Sequence, residues 1–567
     1  MLQLTGGEAL VRALAPERIP FAFGIIGGKI VPFLKALAHQ NSIRHVGSRH
    51  ESASAYMAAA VRSSTGQIAV AFSELGPGTT NIVPGVASAF NNRIPMLLIT
   101  SNNQHAASYP ASGMFMELET KSLLQPIVKW NAAVHDGRRI PELVRRALRE
   151  ATTGRQGPAH IDVPQDILMC KHDYDESDFD WTPQQYRALA GPPPRMDDIE
   201  RAASMLSQAK RPVMIAGGGL ARSGGVEAFR KLAEVLDAPV VVTQMGVGAV
   251  LPSSPQFIGH GGIIGSDAVS VALKEADVVL AVGCRFSSWL WDEKGPLVRG
   301  ETKLIHIDSD AGVLGENVRA EIGIHADAGG AMDALLKYAN SSARYSIDLE
   351  WRKHIGDMYL AHRAKLDALA AERSEIMHPA ALAAAIGMAI PANALVTYDG
   401  GHTSFWSNDF TPVDGPCTRF HEPGLAQLGF GLPWALGLAL SHPGQPIFNI
   451  TGDGAFGFTI QELDSARRYN LPIINVVHNN ALWGVVAAGQ KNQGFDLGGD
   501  LSGTDYAAIG RGFGCYGERV EKLEDVGPAI ARALASGKPS VIDCITKFVP
   551  HPMLPTFGKM GGNRIQH

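Results

Sequence analysis

The sequence predicts an α/β protein with three doubly wound parallel-sheet domains. Short apolar segments typical of buried strands alternate with segments of helical period, and several of these strands end in glycine-rich turns. The length of 567 residues allows three or four domains, and 62 glycines fit large α/β domains with many turns. We predict domains at 1–168, 195–340 and 375–548, followed by a tail at 549–567.

The composition argues against several classes of partner. A net charge of −5 without a basic block disfavours nucleic acid. No segment approaches the roughly 18 consecutive apolar residues of a membrane-spanning helix, and residues 1–14 predict an amphipathic helix instead of a signal peptide. Five cysteines without a CxxC pair fit a reducing compartment. We therefore expect a cytoplasmic protein with neither a nucleic-acid nor a membrane partner.

A βαβ unit near the C-terminus carries the most informative pattern. The strand Phe448–Ile450 leads into the turn Gly452-Asp453-Gly454, a helix is predicted at 459–469, and a second strand, Ile473–Val477, ends before Asn480. The carboxyl ends of parallel strands meet at one edge of a sheet, where ligands bind. One carboxylate with amide and carbonyl oxygens suits Mg²⁺ that takes its remaining ligands from a phosphate.

This GDG turn and an Asn-Asn pair, with Asp453 and Asn480 standing 27 positions apart, resemble the signature of thiamine-diphosphate (ThDP) enzymes. The resemblance implies that Asp453, Asn480 and the carbonyl of Leu482 bind Mg²⁺, which in turn binds the diphosphate. The alternative is an ordinary glycine turn in a Rossmann-like domain. Further cofactor contacts are expected from Gly452, Gly454, Ala455, Trp483 and Gly484.

The N-terminal segment resembles the pyrimidine-binding domain of these enzymes, especially of the acetolactate synthase-like group. An Arg-His-Glu motif ends in Glu51, and a Gly-Pro-Gly turn begins at Gly76. The resemblance implies that Glu51 contacts N1′ of the aminopyrimidine and that Gly28, Gly76 and Pro77 line the cofactor. Without that resemblance, Glu51 reads as a solvated glutamate at a helix start.

Glu74 departs from the acetolactate synthase-like pattern, which has a small or hydroxyl residue before the Gly-Pro-Gly turn. In a dry cleft its carboxyl group could act as an acid or base. Equally, it could be a carboxylate bonded to neighbouring backbone amides.

The substrate end matches the family only in part. Phe115 agrees with the acetolactate synthase pattern, whereas Met116 replaces a glutamine that would bind substrate. Lys129 matches a lysine near the substrate entrance of that family. Val486 stands where pyruvate decarboxylase-like enzymes have a glutamate, and Gly489 stands where acetolactate synthases have a tryptophan. The resemblance therefore leaves the substrate open.

The remaining cofactor contacts are expected from two other segments. A strand at Val396–Tyr398 leads to Gly401, His402 and Thr403, whose backbone N–H groups could bind a diphosphate. By resemblance, the Ala426 carbonyl receives the 4′-amino group of the cofactor, and Leu428 bends the cofactor into a V shape.

The predicted middle domain lacks a GxGxxG with a correctly spaced acid, so NAD is not indicated. In the resembled families this domain holds FAD, holds the ADP part of coenzyme A, or is empty. Asp308 and Asp327 could bind ribose or adenine, although residues of this kind are more often helix caps.

The preferred interpretation is a ThDP- and Mg²⁺-dependent carboligase or decarboxylase of 2-oxo acids. The second is an acyl-CoA enzyme of the 2-hydroxyacyl-CoA lyase or oxalyl-CoA decarboxylase type, and the third is a non-catalytic ThDP-fold subunit. The resemblance implies a homodimer or homotetramer. The tail, with Lys559 and Arg564, is either a lid over the substrate or a frayed end.

Overall fold

Three six-stranded parallel sheets with flanking helices form the core of the described chain, as predicted. The computed structural model describes residues 1–262, 265–287, 290, 301–342 and 345–552. Lys559 and Arg564 of the predicted tail lie outside the described residues. Within the described part, no helix is both long and apolar enough to cross a membrane.

The N-terminal sheet has the strand order β3-β2-β4-β5-β7-β6, and the remaining two strands, β1 and β8, pair with each other in antiparallel fashion. The strands are β1 Leu2–Thr5, β2 Phe21–Phe23, β3 Arg44–Val46, β4 Val70–Ser73, β5 Leu97–Asn102, β6 Trp130–Ala133, β7 Ala159–Pro164 and β8 Lys171–Tyr174. The helices are α1 Gly6–Leu14, α2 Val31–Ala38, α3 Glu51–Thr65, α4 Pro77–Asn91, α5 His105–Ser108, α6 Thr120–Leu124, α7 Ile140–Thr152 and α8 Gln165–Met169.

The central sheet has the order β11-β10-β9-β12-β13-β14. Its strands are β9 Pro212–Ala216, β10 Val240–Val242, β11 Phe257–His260, β12 Val278–Val282, β13 Lys303–Asp308 and β14 Ile322–His325. The helices of this part are α9 Met196–Gln208, α10 Gly218–Ala221, α11 Val226–Leu236, α12 Asp267–Glu275, α13 Ala328–Ser342 and α14 Leu349–Ala370.

The C-terminal sheet has the order β16-β15-β17-β18-β20-β19. Its strands are β15 Leu395–Asp399, β16 Arg419–Phe420, β17 Ile447–Gly452, β18 Ile474–Asn479, β19 Tyr516–Val520 and β20 Ser540–Ile545. The helices are α15 Pro379–Ala389, α16 Gly401–Phe410, α17 Gly431–Ser441, α18 Asp453–Gly457, α19 Glu462–Arg468, α20 Gly484–Asn492, α21 Tyr506–Gly512 and α22 Leu523–Ser536. Short 3₁₀ turns occur at Ala15–Glu17, Gln125–Ile127, Gly137–Arg139, Glu176–Asp178, Pro183–Gln185, Gln244–Gly246 and Ala311–Val313.

The N-terminus corrects one prediction. Residues 1–14 were expected to form a helix, but the chain starts as β1, and α1 begins only after Thr5, whose side chain caps it in a capping box with Glu8. The partner strand β8, Lys171–Tyr174, lies between the predicted domains 1–168 and 195–340. The helical pattern of residues 1–14 is local and does not show that residues 2–5 pair with a strand about 170 residues later. That pairing decides the conformation of the first residues.

The first and last sheets are joined through helices. Helix α3 packs against α17, and a Cβ on Gly437 would lie 2.7 Å from the Met57 carbonyl oxygen, so the two helices touch at backbone distance. One buried cluster spans both helices and includes Met57, Phe430 and Trp434. Each chain therefore carries its N-terminal and C-terminal sheets on a shared core.

A buried carboxyl group crosses the same junction. Glu462 is fully buried at the start of α19, and its Oε1 accepts hydrogen bonds of 2.9 Å from the backbone amides of both Arg49 and His50. Its Oε2 accepts a bond of 2.6 Å from the Ser465 hydroxyl. Burial raises the pKa of Glu462 to about 7 against these stabilising donors.

Replacing Glu462 by Gln is expected to change how stability depends on pH. The folded state binds the Glu462 proton more tightly than the unfolded state does. The protonated group therefore contributes its full stabilisation of the folded state below pH 4.5, and this stabilisation is lost as the pH rises to about 7. At about 1.4 kcal/mol per pKa unit, the loss is about 3 kcal/mol. The amide keeps a hydrogen-bond acceptor and buries no charge. The melting temperature of Glu462→Gln should therefore rise relative to that of the wild type as the pH increases from 5 to 8. The exposed Glu234→Gln serves as the control, and parallel pH curves for wild type and Glu462→Gln would contradict this assignment.

Candidate functional site

A cavity of about 270 Å³ opens at the carboxyl edge of the C-terminal sheet, with lining residues that all lie between Asp399 and Val486. It collects residues from the ends of β15, β17 and β18, as expected for an open α/β sheet. Every site residue predicted in this part of the chain lines it: Gly401, His402, Thr403, Ala426, Leu428, Gly452, Asp453, Gly454, Ala455, Asn480, Leu482, Trp483, Gly484 and Val486.

Asp453 has an unused oxygen atom in this cavity. The side chain is buried, and its Oδ1 accepts a 2.8 Å hydrogen bond from the Gly454 amide, whereas the buried Oδ2 has no partner among the described residues. Burial raises the pKa of Asp453 to about 6, and the backbone amides of Gly454, Asn480, Ala481 and Leu482 oppose the rise. An orphaned buried oxygen of this kind calls for a ligand that the chain does not supply.

The donors near Asp453 fit a hard divalent cation. Asn480 and Leu482 line the same cavity, and Asn480 is oriented by its Oδ1, which accepts a 3.1 Å bond from the Leu482 amide. Within the described residues, no three His, Cys, Asp or Glu side chains cluster as a metal site. A cation here would therefore be bound by one carboxylate, neutral oxygens and the oxygens of a second ligand, as suits Mg²⁺.

Two glycines leave room in the turn that holds Asp453. A Cβ on Gly454 would lie 2.5 Å from the Trp483 indole, and one on Gly452 would lie 3.0 Å from the Thr403 hydroxyl oxygen. His402, on the opposite wall, lies with its Nε2 2.6 Å from the Val549 carbonyl oxygen. Burial lowers its pKa to about 4, so the imidazole is neutral at pH 7. Backbone and neutral side chains thus form most of the cavity wall around Asp453, and the buried carboxyl groups of Asp399 and Glu422 also line the cavity.

A second carboxylate shapes the loop at the far end of the cavity. Glu422 is buried and accepts hydrogen bonds of 2.9 Å and 2.8 Å from the amides of Leu425 and Gln427. The loop passes through Ala426 in the left-handed region, with φ of 56°. Glu422 therefore fixes the turn that places the Ala426 and Leu428 side chains in the cavity lining.

The N-terminal site residues form a separate cluster at the carboxyl edge of their own sheet. The Glu51 carboxylate accepts a 3.0 Å hydrogen bond from the Asn81 amide. A Cβ on Gly78 would lie 3.4 Å from Glu51 Oε1 and 3.3 Å from the Glu74 Cβ, so both glutamates flank the Gly-Pro-Gly turn. The structure thus brings the two predicted catalytic acids together.

Glu74 is bonded to backbone amides, as the second of its two interpretations proposed. Its oxygens accept hydrogen bonds of 3.1 Å from the Lys29 amide and 3.4 Å from the Ile30 amide. Burial raises the pKa of Glu74, and these two amides and the Lys29 charge oppose the rise. An oriented carboxyl group with a raised pKa also suits proton transfer, so a catalytic role stays a prediction.

The other N-terminal site residues surround this cluster or lie away from it. Gly28 is exposed beside Lys29, and a Cβ on Gly76 would lie 2.8 Å from the Met116 carbonyl oxygen. Pro77 begins α4, and Phe115 is 79% exposed. Lys129 instead donates to the carbonyl oxygens of Glu150 and Thr153 at the end of α7. These bonds explain its ordered ammonium group without a substrate.

The N-terminal cluster and the C-terminal cavity lie on different sheets of the chain. Between the described residues, no hydrogen bond joins Glu51 or Glu74 to a residue that lines the cavity. Phe115 beside the cluster and Val486 in the cavity are 79% and 57% exposed. Both the cluster and the cavity therefore have an exposed apolar side chain beside them.

A larger cavity of about 490 Å³ lies between the N-terminal and central sheets. Asp308 and Asp327 line it, and both also cap backbone amides, at 2.9 Å to Asp310 and at 3.2 Å to Gly330. Its cationic lining consists of Arg62, Arg93, Arg155, Arg222 and Arg285. A cavity of this size with so many guanidinium groups suits an anion with several phosphate oxygens.

Three family models match the chain in the order of its sheets. They describe the N-terminal TPP binding domain, the central domain and the C-terminal TPP binding domain of thiamine pyrophosphate enzymes, at residues 4–123, 199–335 and 399–544. The chain belongs to the thiamine pyrophosphate enzyme family. It is therefore a ThDP-dependent enzyme, and Asp453 with its orphaned oxygen lies in the matched C-terminal TPP binding domain.

The relatives of this ThDP enzyme place it in the acetolactate synthase-like group. It is 30% identical to a probable acetolactate synthase large subunit of Methanococcus aeolicus, over 95% of this chain and 92% of the relative. It is 29% identical to the acetolactate synthase large subunit of Corynebacterium glutamicum, over 96% and 87% of the two chains. It is also 29% identical to the acetolactate synthase isozyme 3 large subunit of Escherichia coli K12, over 94% and 93%.

Sequence reasoning missed three residues of the N-terminal cluster. Asn81 holds Glu51, and Lys29 and Asn103 lie beside Glu74, with the Lys29 ammonium bonded to Asn103 Oδ1. Asn103 directly follows β5, which ends at Asn102. A polar residue directly after a strand was the available signal.

Proposed function

We propose that this ThDP enzyme is a Mg²⁺-dependent carboligase or decarboxylase of 2-oxo acids. This proposal rests on Asp453, whose buried Oδ2 has no hydrogen-bond partner among the described residues. The cavity around it also contains Asn480 and Leu482. These residues would bind Mg²⁺ and, through it, the diphosphate. When bound, ThDP supplies an electron sink for breaking the C–C bond next to a carbonyl group.

In this proposal, the chain's own residues position the cofactor and supply a proton to the product. Asn81 holds the Glu51 carboxylate, so that it can share a proton with a ring nitrogen of the cofactor. Joining two 2-oxo acid anions to give one 2-hydroxy-3-oxo acid anion and CO₂ takes up one proton. Glu74, with its raised pKa, is the candidate proton donor.

The active unit in this proposal is a homodimer or a larger homo-oligomer. The two halves of the site lie at different edges of one chain, so a second copy has to supply the missing half. The described cysteines, Cys170, Cys284, Cys417, Cys515 and Cys544, are free, which fits the reducing cytoplasm.

The arginine-lined cavity favours a second candidate function. Coenzyme A carries phosphates that five guanidinium groups could bind, so an enzyme of the 2-hydroxyacyl-CoA lyase or oxalyl-CoA decarboxylase type is the alternative. FAD or ADP, bound as a cofactor, would place phosphate groups in the cavity just as coenzyme A would.

A ligand panel tests both functions. The melting temperature is measured with Mg²⁺ and ThDP, and then with added pyruvate, FAD, ADP or coenzyme A, while pyruvate and CO₂ are followed in the same samples. A ligand at a hundredfold excess over its Kd stabilises the protein by about 2.7 kcal/mol. Pyruvate consumption supports the 2-oxo acid function, and stabilisation by coenzyme A without pyruvate consumption supports the alternative. ThDP stabilisation without pyruvate consumption and without stabilisation by coenzyme A would contradict both proposed functions.

A further inference from the structure

Lys29 lies in the N-terminal cluster, and neither the family pattern nor the sequence analysis assigned it a role. It follows Gly27 and Gly28 after β2, at the edge where β4 ends before Glu74. A Cβ on Gly27 would lie 2.1 Å from Glu74 Oε2, so the turn is pressed against this carboxyl group. Glu74 in turn accepts the Lys29 amide, which fixes the backbone of Lys29.

Within the part of the chain that the structure describes, the ammonium group of Lys29 is bonded only to neutral oxygens. It donates to Asn103 Oδ1 and, over 3.3 Å, to the Phe115 carbonyl oxygen. Among the described residues, no carboxylate oxygen lies within the 4.0 Å of an ion pair. An ammonium group has three N–H donors, so one remains for a ligand, and the Lys29 charge acts on the nearby Glu74 carboxyl group without forming an ion pair with it.

The partner of Lys29 is a rigid part of the fold. Asn103 is 2% exposed, and its amide N–H donates over 2.8 Å to Asn102 Oδ1. The Asn103 side-chain amide also donates over 3.3 Å to the Phe115 carbonyl oxygen. The Lys29 ammonium is therefore held between the buried Asn103 side chain and the Phe115 backbone carbonyl, where its free N–H could bind a small organic anion.

The chemistry of the proposed reaction narrows the identity of that anion. An ammonium group bound to a carboxylate that must leave as CO₂ would stabilise the substrate more than the transition state and slow the reaction. Resting on the proposed function, we infer that Lys29 binds the carboxylate that the acceptor 2-oxo acid retains in the product. Lys29 is thus a specificity residue for an anionic acceptor.

The first test is binding to the Mg²⁺- and ThDP-loaded protein. Calorimetry compares oxamate, an unreactive carboxylate, with oxamide, its neutral counterpart, in wild type, Lys29→Met, Lys29→Arg and Lys35→Met. Lys35 is an exposed lysine on α2 outside the cluster and provides the matched control. We expect Lys29→Met to bind oxamate about tenfold or more weakly, to the level of oxamide, Lys29→Arg to recover part of the affinity, and Lys35→Met to match wild type. Equal oxamate affinity in Lys29→Met and wild type would overturn the inference.

The second test distinguishes a role of Lys29 in binding the acceptor from a role in binding the donor. With pyruvate, we expect Lys29→Met to lose less of its single-turnover rate of CO₂ release than of its rate of product formation, because Lys29 would bind the acceptor. The fraction of CO₂ matched by 2-hydroxy-3-oxo acid should fall about tenfold. An unchanged product fraction, or an equal loss of both steps, would reject the acceptor role. A wild type that binds ThDP but releases no CO₂ from pyruvate would reject the proposed donor, and the oxamate comparison would still decide whether Lys29 binds an anion.

Discussion

Glu51→Gln is expected to lower turnover by about 10²–10⁴-fold, the range for losing a positioned acid or base. The amide retains an oxygen that can accept the Asn81 bond, so the local structure should persist, but it cannot share a proton with the cofactor. The stabilisation of the protein by Mg²⁺ and ThDP should therefore remain while the rate of CO₂ release falls.

The control for Glu51 is a glutamate of similar chemistry on an unrelated surface. Glu227 lies on α11, with its side chain 68% exposed, and Glu227→Gln should match wild type in both measurements. Turnover of Glu51→Gln within tenfold of wild type would remove Glu51 from the catalytic machinery.

Asp453→Asn is expected to abolish the gain in melting temperature that Mg²⁺ and ThDP give the wild type. That gain corresponds to about 2.7 kcal/mol at a hundredfold excess over Kd. The asparagine can still accept the Gly454 amide, but an NH₂ group in place of Oδ2 repels a cation. Without ligands, the variant should be at least as stable as wild type, because it no longer buries a charge at neutral pH.

The two halves of this expectation exclude misfolding as an explanation, since a misfolded variant would also lose stability without ligands. Asp496→Asn, at an exposed position, is the matched control and should respond to Mg²⁺ and ThDP like wild type. An undiminished response of Asp453→Asn would show that the cation binds elsewhere.

Local patterns, together with the family resemblance, predicted which residues line the C-terminal cavity. The strand, turn and helix around Asp453 follow one another directly, and the rule that ligands bind at the carboxyl ends of parallel strands placed Asn480 beside it. Spacing along the chain translates into position in space wherever each element packs on its sequence neighbour.

The parts that escaped prediction depend on distant contacts or on side-chain direction. The bonds from Arg49 and His50 to Glu462 join residues 413 and 412 positions apart, and nothing local marks them. The direction of Lys129 toward the end of α7 follows from a helix packed later in the fold. The sequence around Lys29 did not point to a functional role, because that role depends on its contacts with the distant residues Asn103 and Glu74.

The pairing of β1 with β8 has a consequence for the synthesis of the protein. Gln3 hydrogen-bonds to Asp173, 170 positions later, and ribosomes add about 5–20 residues per second. The first strand therefore waits roughly 10–30 s after it leaves the ribosome before its partner exists. By then the six strands of the N-terminal sheet, which end at Pro164, have all been made. We expect the start of the polypeptide to dock last, fastening a domain that has already formed.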